Sequence, residues 1–562
     1  MNPAEAPRRP DAGALPVHDL VVIGAGIIGA GIARDAALRG LKVALVEKED
    51  LGWGTSARST RLVHGGLRYL EHLDIGLVRE ALRERGTLMR IAPHLVAPLP
   101  MLFPIWKGTG RHKFVVRIGM FLYDILARKN VGTGHHWWSR EEVRKREPTL
   151  DRPELKGGFL FWDCQTSYPE RLVVENALDA HAHGATVLTH SEVVGLEQEG
   201  TTASAVVVRD RLSGDERMIP CRLVVNTAGP WVTEVDNRLG TRAPAMTRRT
   251  KGIHLVTPPI CQNAMVLQCG DGERIIFVIP WNGLNLIGTT DTDYTGPNDT
   301  VAATVDDVRY LLDEVNNVLQ VTLTPEDVHY AYAGIRSLIH ETKGTTGAVS
   351  RRHLVVEHAG RDGPDNLVTV VGGKITAYRH ISEDVTDLLC ERLGSASVSR
   401  TATTPLPGSG SEGPEALLAL VGSRLPHLTD TDVDRLHGIY GFRIGRLVEM
   451  APLLQEGPGF LHPNTRVTRE EVLLAIEEEW AVTLEDVLLR RTMAGLDAGL
   501  GLDLVDPVAT LMADRLGWDK KRRDAEVAHY LATVARNRAA VEALAEEYRP
   551  GDPDERIAKK RI

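Results

Sequence analysis

The chain has 562 residues, which is too long for a single hydrophobic core and predicts two or three domains. Its 66 Lys and Arg residues against 75 Asp and Glu residues give a net charge of −9, which argues against a general nucleic-acid-binding protein. Five cysteines without a C-x-x-C pair favour a reduced, cytoplasmic setting and indicate no metal site.

The first 17 residues are rich in Pro, Ala and charge, and we expect a flexible tail. They contain no apolar segment of the kind that a signal peptide needs. No run of 18 uninterrupted apolar residues occurs anywhere in the chain, so a membrane-spanning helix is not expected.

The segment Asp19–Glu49 predicts a strand, a glycine turn, a helix and a second strand. The turn has the spacing G-x-G-x-x-G: Gly24 allows a tight turn, Gly26 lets the backbone approach a pyrophosphate, and Gly29 lets the helix pack closely on the strand. Glu47 ends the second strand, where a carboxylate accepts ribose hydroxyls. The pattern fits FAD and NAD equally, and the alternative is a unit whose glycines serve packing only.

The segment that follows, Leu51–Glu71, is rich in glycine and hydroxyl residues and then becomes basic and aromatic. Such a loop can bring N–H groups and hydroxyls to a phosphate or a ring system, although an ordinary surface loop has the same composition. Residues 72–150 are predicted to be mostly helical, with apolar spacing through Ile75–Ile91 and prolines that break the pattern after it.

Residues Arg111–Lys129 predict an amphipathic helix with basic residues around an apolar face. A helix of this kind can lie in an anionic membrane interface. A buried helix with basic ends is the alternative and fits the composition equally well.

The middle of the chain alternates strand and turn signals. Residues 157–240 return to the nucleotide-binding pattern, and their last strand runs into Ala228-Gly229. Residues 241–340 predict antiparallel strands of the kind found in a substrate domain. A further apolar strand, Leu367–Val371, enters Gly372-Gly373, which could be a plain turn or a helix N-terminus ready for an anion or a flavin edge.

The composition of residues 401–414 predicts a linker, and the periodicity of residues 415–548 is mostly helical. Within Leu473–Arg491, either one helix is present or Thr483 caps a second one. The acidic run Glu477–Glu479 is predicted to be a solvated face rather than a pair of catalytic acids.

The order of these motifs closely resembles the FAD-dependent glycerol-3-phosphate dehydrogenase family, which has the D-amino-acid oxidase fold. The resemblance covers roughly residues 19–500, and it departs from the family pattern at Ile27-Ile28 and Ser337, where relatives carry Ile-Asn and Pro. The segments that carry it are Gly24–Glu49, Thr55-Ser56, Leu62–Glu71, Lys251–His254, Ile287–Asp291, Tyr332–Leu338 and Gly372–Arg379.

The resemblance implies a tightly bound FAD held by residues from several distant turns. The implied cofactor-binding residues are Gly24, Gly26, Ile28, Gly29, Glu47, Thr55, Ser56, His64, Gly65, Gly66, Val193, Ala228, Gly229, Gly372, Gly373, Lys374, Ile375 and Thr376.

The family's reaction is the oxidation of sn-glycerol 3-phosphate to dihydroxyacetone phosphate, and it requires cations that hold a phosphate. Arg336 and Arg351 are the first candidates, because a guanidinium binds phosphate oxygens in pairs. Arg68 and Lys374 are further candidates for phosphate binding or for stabilising a developing negative charge, and Tyr69 is expected to bound the pocket. His254 is the candidate general base.

The predicted fold is an α/β FAD-binding Rossmann-like domain with an inserted antiparallel-sheet substrate (cap) domain and an all-helical C-terminal domain. The FAD-binding domain is assigned to residues 18–95, 151–240 and 341–400, and the cap domain to residues 96–150 and 241–340. The helical domain is assigned to residues 415–548, after the linker 401–414. Residues 1–17 and 549–562 are assigned as tails.

The sequence leaves the electron acceptor open between a membrane quinone and O2, and it leaves a homodimer open. A cytoplasmic protein is expected, with peripheral contact at the inner face of the cell membrane as a further expectation that the family suggests. Three other functions remain: another amine or hydroxy-acid oxidase of the same fold, an interaction protein with structural FAD, and an NAD-linked enzyme.

Overall fold

The computed structural model of the chain describes residues 15–66, 74–108, 113–127, 134–241, 247–270, 274–339, 353–361, 363–410, 414–455 and 457–548. Three of the predicted site residues, Arg68, Tyr69 and Arg351, lie outside these ranges, as do the two ends of the predicted basic helix, residues 111–112 and 128–129.

The strands are numbered in chain order. They are β1 (His18–Ile23), β2 (Val43–Val46), β3 (Leu62–Val63), β4 (Ala97–Trp106), β5 (His136–Ser139), β6 (Leu155–Gln165), β7 (Thr186–Leu188), β8 (Ser191–Glu199), β9 (Thr202–Asp210), β10 (Glu216–Asn226), β11 (Thr247–Thr257), β12 (Ala264–Cys269), β13 (Arg274–Trp281), β14 (Leu284–Gly288), β15 (Thr292–Asp293), β16 (Tyr330–Ile339), β17 (His353–Glu357) and β18 (Leu367–Gly372).

The α-helices are numbered in the same way. They are α1 (Ile27–Leu38), α2 (Ile75–Ile91), α3 (Lys113–Ala127), α4 (Arg140–Arg146), α5 (Pro169–Ala182), α6 (Val232–Arg238), α7 (Val305–Val318), α8 (Tyr378–Leu393), α9 (Pro414–Arg424), α10 (Asp430–Tyr440), α11 (Gly445–Met450), α12 (Arg469–Glu478), α13 (Leu484–Arg490), α14 (Val505–Leu516) and α15 (Lys520–Tyr548).

The smaller sheet carries the nucleotide-binding pattern. Its main path is β17-β18-β10-β1-β2-β7, in which all neighbours are parallel except β17 and β18. Strands β8 and β9 extend it from β10 with antiparallel pairing. Helices α1, α5 and α8 pack on one face through small and aliphatic side chains. The predicted β1-α1-β2 unit is confirmed, and the carboxyl ends of β1, β10 and β18 meet at one edge, where ligands bind in such sheets.

The larger sheet forms the cap. Its main path is β15-β11-β14-β13-β12-β4-β6-β3, with β16 beside β11 and β5 beside β6. The predicted antiparallel strands of residues 241–340 are confirmed. Strand β6 pairs with β4 here, so residues 155–165, assigned from sequence to the FAD-binding domain, belong to the cap sheet.

Strand β4 corrects the helical interpretation of residues 72–150. The predicted helix at Ile75–Ile91 is confirmed, but Ala97–Trp106 is a strand although it contains Pro98, Pro100 and Pro104. The three prolines share one parity, and N–H directions alternate along a strand, so the missing donors all lie on one edge. The prolines therefore reduce the number of hydrogen bonds that β4 makes on that edge, but they do not break the strand.

Residues 401–410 of the predicted linker pack against the FAD-binding domain. Residues of the predicted linker are held by buried side chains: Arg34 donates to the carbonyl of Thr404, and the N–H of Gly408 donates to Glu175. Leu406 is buried in the FAD-domain core. Residues 401–410 are thus a packed connection, which the Pro, Gly and Ser content of the linker did not predict.

The acidic run Glu477–Glu479 is not a solvated face as predicted. Glu479 is fully buried and accepts two hydrogen bonds from Arg171 of α5 at 2.5 and 2.8 Å, while Glu478 is paired with Arg443. Helix α12 ends at Glu478, and Thr483 caps α13, so the chain turns these carboxylates toward arginines of neighbouring elements.

Helix α3 confirms the predicted amphipathic helix and exposes most of its predicted apolar face. Val116, Met120 and Tyr123 pack into the cap core on the inner side. Six large apolar side chains on the outer side are exposed, with fractions between 42% and 65%: Phe114, Val115, Ile118, Phe121, Leu122 and Ile125. Within the described part of the chain, no helix is both long and apolar enough to cross a membrane.

Candidate active site

One cavity of about 510 Å³ lies between the edge of the smaller sheet and the cap sheet. It brings together most of the predicted site residues, which come from six separate parts of the chain. The predicted residues that line it are Gly24, Gly26, Ile28, Glu47, Thr55, Ser56, His64, Gly66, Val193, Ala228, Gly229, His254, Arg336, Gly372, Gly373, Lys374, Ile375 and Thr376.

The first glycine turn forms one wall of the cavity. Its backbone conformation requires glycine at one position, and its close packing requires glycine at another. Gly24 has φ +95°, a region that L side chains rarely adopt. A Cβ on Gly29 would lie 1.9 Å from the carbonyl oxygen of Gly24, so only a glycine lets α1 approach the turn this closely. Gly29 itself does not line the cavity. The N–H of Ile27 donates to Ser56, which joins the turn to the Thr55–Arg58 helix.

Glu47 lies at the carboxyl end of β2, as the sequence predicted. Its carboxylate accepts hydrogen bonds from the N–H groups of Ala25 at 2.8 Å and Glu49 at 2.9 Å. Burial raises the pKa of Glu47, and these two N–H groups oppose that shift. The carboxylate is thereby fixed beside the glycine turn in the place where a ribose would present its hydroxyls.

The second glycine pair, Gly372-Gly373, ends β18 and lines the cavity close to Ile28 at the start of α1. Both residues have positive φ, and they lead into Lys374 and a short helix at Ile375–Ala377. The hydroxyl of Thr376 accepts the N–H of His64 at 3.1 Å, which ties the two segments together. Gly65 lies behind the wall, where its N–H donates to Tyr123 and Asp163.

These walls fit a dinucleotide with a flavin. The glycine turn at an α-helix N-terminus presents N–H groups to a pyrophosphate, and Glu47 stands at the ribose position. The segments around His64 and Gly372-Gly373 then leave a wide opening beside the cap sheet for a ring system.

His254 stands in the cap wall on β11. Its Nε2 lies 3.0 Å from the hydroxyl of Thr60, and its ring stacks on Tyr332 with centroids 5.0 Å apart. The Nδ1 atom is buried without a hydrogen-bond partner among the described residues. Burial, Arg336 and Arg61 together lower the pKa of His254 to about 3, so the imidazole is neutral at physiological pH and can accept a proton.

Arg336 stands on β16, the strand next to His254 in the sheet. Its Nη1 donates to the carbonyl of Thr290 and to Asp291, and its Nη2 donates to the hydroxyl of Thr289. These contacts fix the orientation of a guanidinium that is one-third exposed to the cavity. Lys374 lines the cavity from the opposite domain, so two cations from two domains face the same space.

Several contributing residues were missed by sequence reasoning. Thr60 and Tyr332 fix the His254 ring, and Thr289 and Asp291 fix Arg336. Tyr332, Thr289 and Asp291 fall inside segments that the family resemblance had marked, so that signal was present. Thr60 lies in the hydroxyl-rich loop, but nothing in the sequence connects it to a histidine 194 residues later.

The neutral, buried His254 gives the protein a specific pH dependence. Its pKa falls from 6.5 when unfolded to about 3 when folded, so between these values the unfolded chain binds more protons and stability decreases as pH falls. The loss is at most about 1.4 kcal/mol per pH unit. We expect the Tm of the wild type to fall more steeply between pH 7.5 and pH 5 than that of His254→Gln, and parallel curves would contradict this assignment.

An apolar lobe of the cavity lies against the cap sheet. Met101, Phe103, Phe161, Val266 and Phe277 line it. Met101, Phe103 and Phe161 also pack in the core that contains the inner side of α3. Tyr123, on the inner side of α3, contacts Phe161 of the lobe with ring centroids 6.1 Å apart, so the lobe and α3 share one packed core.

Comparison with known proteins supports the same interpretation. The sequence model described as FAD dependent oxidoreductase matches residues 19–379, and the one described as the C-terminal domain of alpha-glycerophosphate oxidase matches residues 399–523. The chain is 37% identical to the glycerol-3-phosphate dehydrogenase of Synechocystis over 92% of this chain and 97% of that protein. It is 38% identical to the D-erythritol 1-phosphate dehydrogenase of Brucella abortus over 84% of this chain and 94% of that protein.

A solved structure agrees with the sequence matches. The glycerol-3-phosphate dehydrogenase of Bacillus halodurans, complexed with FAD, has a TM-score of 0.77 to this chain at 28% identity, covering 93% of this chain and 96% of that one. The resemblance drawn from the sequence motifs is confirmed. The chain therefore belongs to the FAD-dependent oxidoreductase family, its cofactor is FAD, and its C-terminal domain is of the alpha-glycerophosphate oxidase type.

Proposed function

We propose that the protein oxidises sn-glycerol 3-phosphate to dihydroxyacetone phosphate and passes the electrons to a membrane quinone. The observation that carries this proposal is the single cavity that joins a flavin cradle to a cap wall bearing Arg336 and His254, with Lys374 facing them. The names of the relatives at 37% and 38% identity point to phosphorylated polyols as the substrate class.

Phosphate binding is assigned first to Arg336. Thr289 and Asp291 hold the guanidinium in one orientation, and a fixed planar fork suits two phosphate oxygens. Lys374 contributes a second positive charge from the FAD-binding domain, where it can also stabilise charge that develops on the substrate oxygen. Arg68, Arg351 and Tyr69 remain candidates for the same site from their positions in sequence.

His254 is assigned as the proton acceptor. The C2 hydroxyl of the substrate loses its proton to the imidazole, the C2–H bond releases a hydride, and C2 becomes a carbonyl. FAD supplies the hydride acceptor when bound. The pKa of about 3 belongs to the site without substrate, where Arg336 and Arg61 disfavour a second cation. A dianionic phosphate offsets those charges and makes the imidazole a stronger base in the complex.

A quinone is the preferred acceptor because of where the apolar lobe and helix α3 lie. The lobe offers aromatic and aliphatic side chains to a quinone ring, and the exposed apolar face of α3, whose inner side packs against the lobe, is suited to a membrane interface. The alternative is an oxidase that uses O2. After anaerobic reduction, a water-soluble quinone should restore the flavin absorbance faster than air does, and faster return with air would favour the oxidase.

The membrane contact of α3 has its own test. Ile118→Glu with Phe121→Glu should weaken binding of the holoenzyme to phosphatidylglycerol vesicles at least about tenfold, because two exposed apolar side chains would no longer enter the interface. Sedimentation with vesicles measures this. The matched control is Leu453→Glu with Val398→Glu, two exposed apolar residues elsewhere. Equal binding by both double variants would remove α3 from the membrane contact.

The reaction itself is tested by product and stoichiometry. The holoenzyme with glycerol 3-phosphate and a quinone analogue should form one dihydroxyacetone phosphate for each quinone reduced. Glycerol and simple 2-hydroxy acids, which lack a phosphate, should give turnover lower by at least about a hundredfold, because the cationic contacts would be lost. Comparable turnover with those compounds would favour another oxidoreductase of this fold.

A further inference from the structure

The position of Glu47, the predicted ribose acid, depends on two backbone segments. Glu47 begins the segment 47–54, which leads to the Thr55–Arg58 helix at the cavity. The second segment contains His190 and Ser191, whose N–H groups donate to the carbonyls of Glu49 at 2.6 Å and Glu47 at 2.7 Å. Ser191 and the residues that follow it, Glu192 and Val193, line the cavity. These two segments form the wall beside Glu47.

The first segment is held by the C-terminal domain at Asp50. This carboxylate is fully buried, and it accepts hydrogen bonds from Arg490 at 2.6 Å and from Arg491 at 2.9 and 2.7 Å. Both arginines lie at the end of α13, about 440 residues later in the chain. One carboxylate thus receives three charge-assisted bonds from two guanidinium groups in a site without water contact.

The second segment is held by the same helix. His190 Nε2 lies 3.0 Å from Asp486 of α13, and Asp486 also accepts a hydrogen bond from Arg490 at 2.8 Å. Arg491 in turn donates to the carbonyl of Glu479 at 2.9 and 2.7 Å. The two wall segments are therefore connected to each other through one buried ionic network that belongs to the helical domain.

Every carboxylate of this network has an arginine partner among the described residues. Asp50, Asp486 and Glu479 supply three carboxylates, and each is paired with at least one guanidinium group, from Arg490, Arg491, Arg171 or Arg443. Buried ionic networks add little net stability compared with apolar packing, but loss of one member leaves its partners buried and unpaired. A network of this kind fixes geometry more than it stabilises the fold.

From these contacts we infer that the helical C-terminal domain holds the adenosine end of FAD through Glu47. Arg490, Arg491 and Asp486 act as positioning residues. They fix the segment 47–54 and the segment that contains His190 and Ser191, and these two segments fix the Glu47 carboxylate. The inference concerns retention of the cofactor, so it does not depend on the substrate or the electron acceptor proposed above.

The test replaces one guanidinium and follows FAD instead of turnover. Arg491→Lys keeps the charge but cannot make both bonds to Asp50. We expect FAD to dissociate about tenfold faster from the diluted holoenzyme, measured by the rise in flavin fluorescence, with the near-UV circular dichroism of the variant unchanged. Excess FAD should restore full occupancy.

Arg435→Lys is the matched control. Arg435 likewise makes two hydrogen bonds to one buried carboxylate, that of Glu471, at 3.0 and 2.6 Å. The Arg435 side chain is one-quarter exposed, and the pair lies inside the C-terminal domain without lining the cavity. Its variant should lose stability but release FAD at the wild-type rate. If both variants release FAD equally fast, or if Arg491→Lys retains FAD as the wild type does, the network is only structural and the inference fails.

A second variant decides the question if Arg491→Lys does not fold. His190 has φ +51°, which asparagine tolerates better than most residues, and His190→Asn is too short to reach Asp486. Faster release of FAD from His190→Asn supports the inference. Wild-type release contradicts it.

Discussion

Arg336→Ala should lower kcat/KM for glycerol 3-phosphate by about two to three orders of magnitude. The guanidinium is the cap-wall group best placed to bind two phosphate oxygens, and each hydrogen bond to a charged group contributes about 1.5–3 kcal/mol. Each 1.4 kcal/mol lost from transition-state binding is about tenfold in rate. Steady-state kinetics with the FAD-loaded variant measures the effect, and the visible spectrum confirms that FAD is still bound.

Two controls separate a phosphate contact from a general disturbance. Arg249→Ala removes an arginine that binds Asn298 and stacks near Tyr294 on the same sheet without lining the cavity, so its kcat/KM should stay within about twofold of the wild type. Glycerol, which has no phosphate, should be used as poorly by Arg336→Ala as by the wild type. A loss of activity with glycerol as large as the loss with glycerol 3-phosphate would mean that Arg336 does not bind the phosphate.

His254→Gln should slow anaerobic reduction of the flavin by about two to three orders of magnitude. A positioned general base contributes a factor of this size, and glutamine can keep the bond to the Thr60 hydroxyl while it cannot accept the substrate proton. Stopped-flow absorbance in a single turnover isolates this step from reoxidation. Binding of substrate, measured from the concentration dependence of the rate, should change little.

The matched control for the histidine is His329→Gln, which changes a histidine of the cap domain that does not line the cavity. Its reduction rate should equal that of the wild type. A rate for His254→Gln within about threefold of the wild type would move proton acceptance to another group, and the stacked position of His254 on Tyr332 would then be structural.

The parts of the fold that the sequence predicted are those that local chemistry determines. Gly24, Gly29 and Glu47 sit in one short unit, and their spacing alone fixes a turn, a close helix approach and an acid at a strand end. The alternating pattern of the cap strands is equally local. Strand β4 was missed because prolines usually end a strand. Its pairing with β6 shows that a strand can contain three prolines when all of them occupy alternate positions.

Sequence predicted only those residues of the candidate site that lie in segments resembling the family. His254 and Arg336 were named from family segments, but their fixation by Thr60, Thr289 and Asp291 depends on contacts between distant strands. The same holds for Asp50 and Arg491, which are 441 residues apart. From the sequence alone, Asp50 and Arg491 would be expected to be solvent-exposed charges. The packing of α13 against the FAD-binding domain buries both side chains.

The central claim is that one cavity holds FAD beside a site for a phosphorylated alcohol, and anaerobic titration tests it most directly. Without oxygen or quinone, stoichiometric sn-glycerol 3-phosphate should bleach the flavin absorbance of the holoenzyme, and an equal amount of dihydroxyacetone phosphate should form. Flavin that keeps its colour in the presence of excess glycerol 3-phosphate would contradict the account.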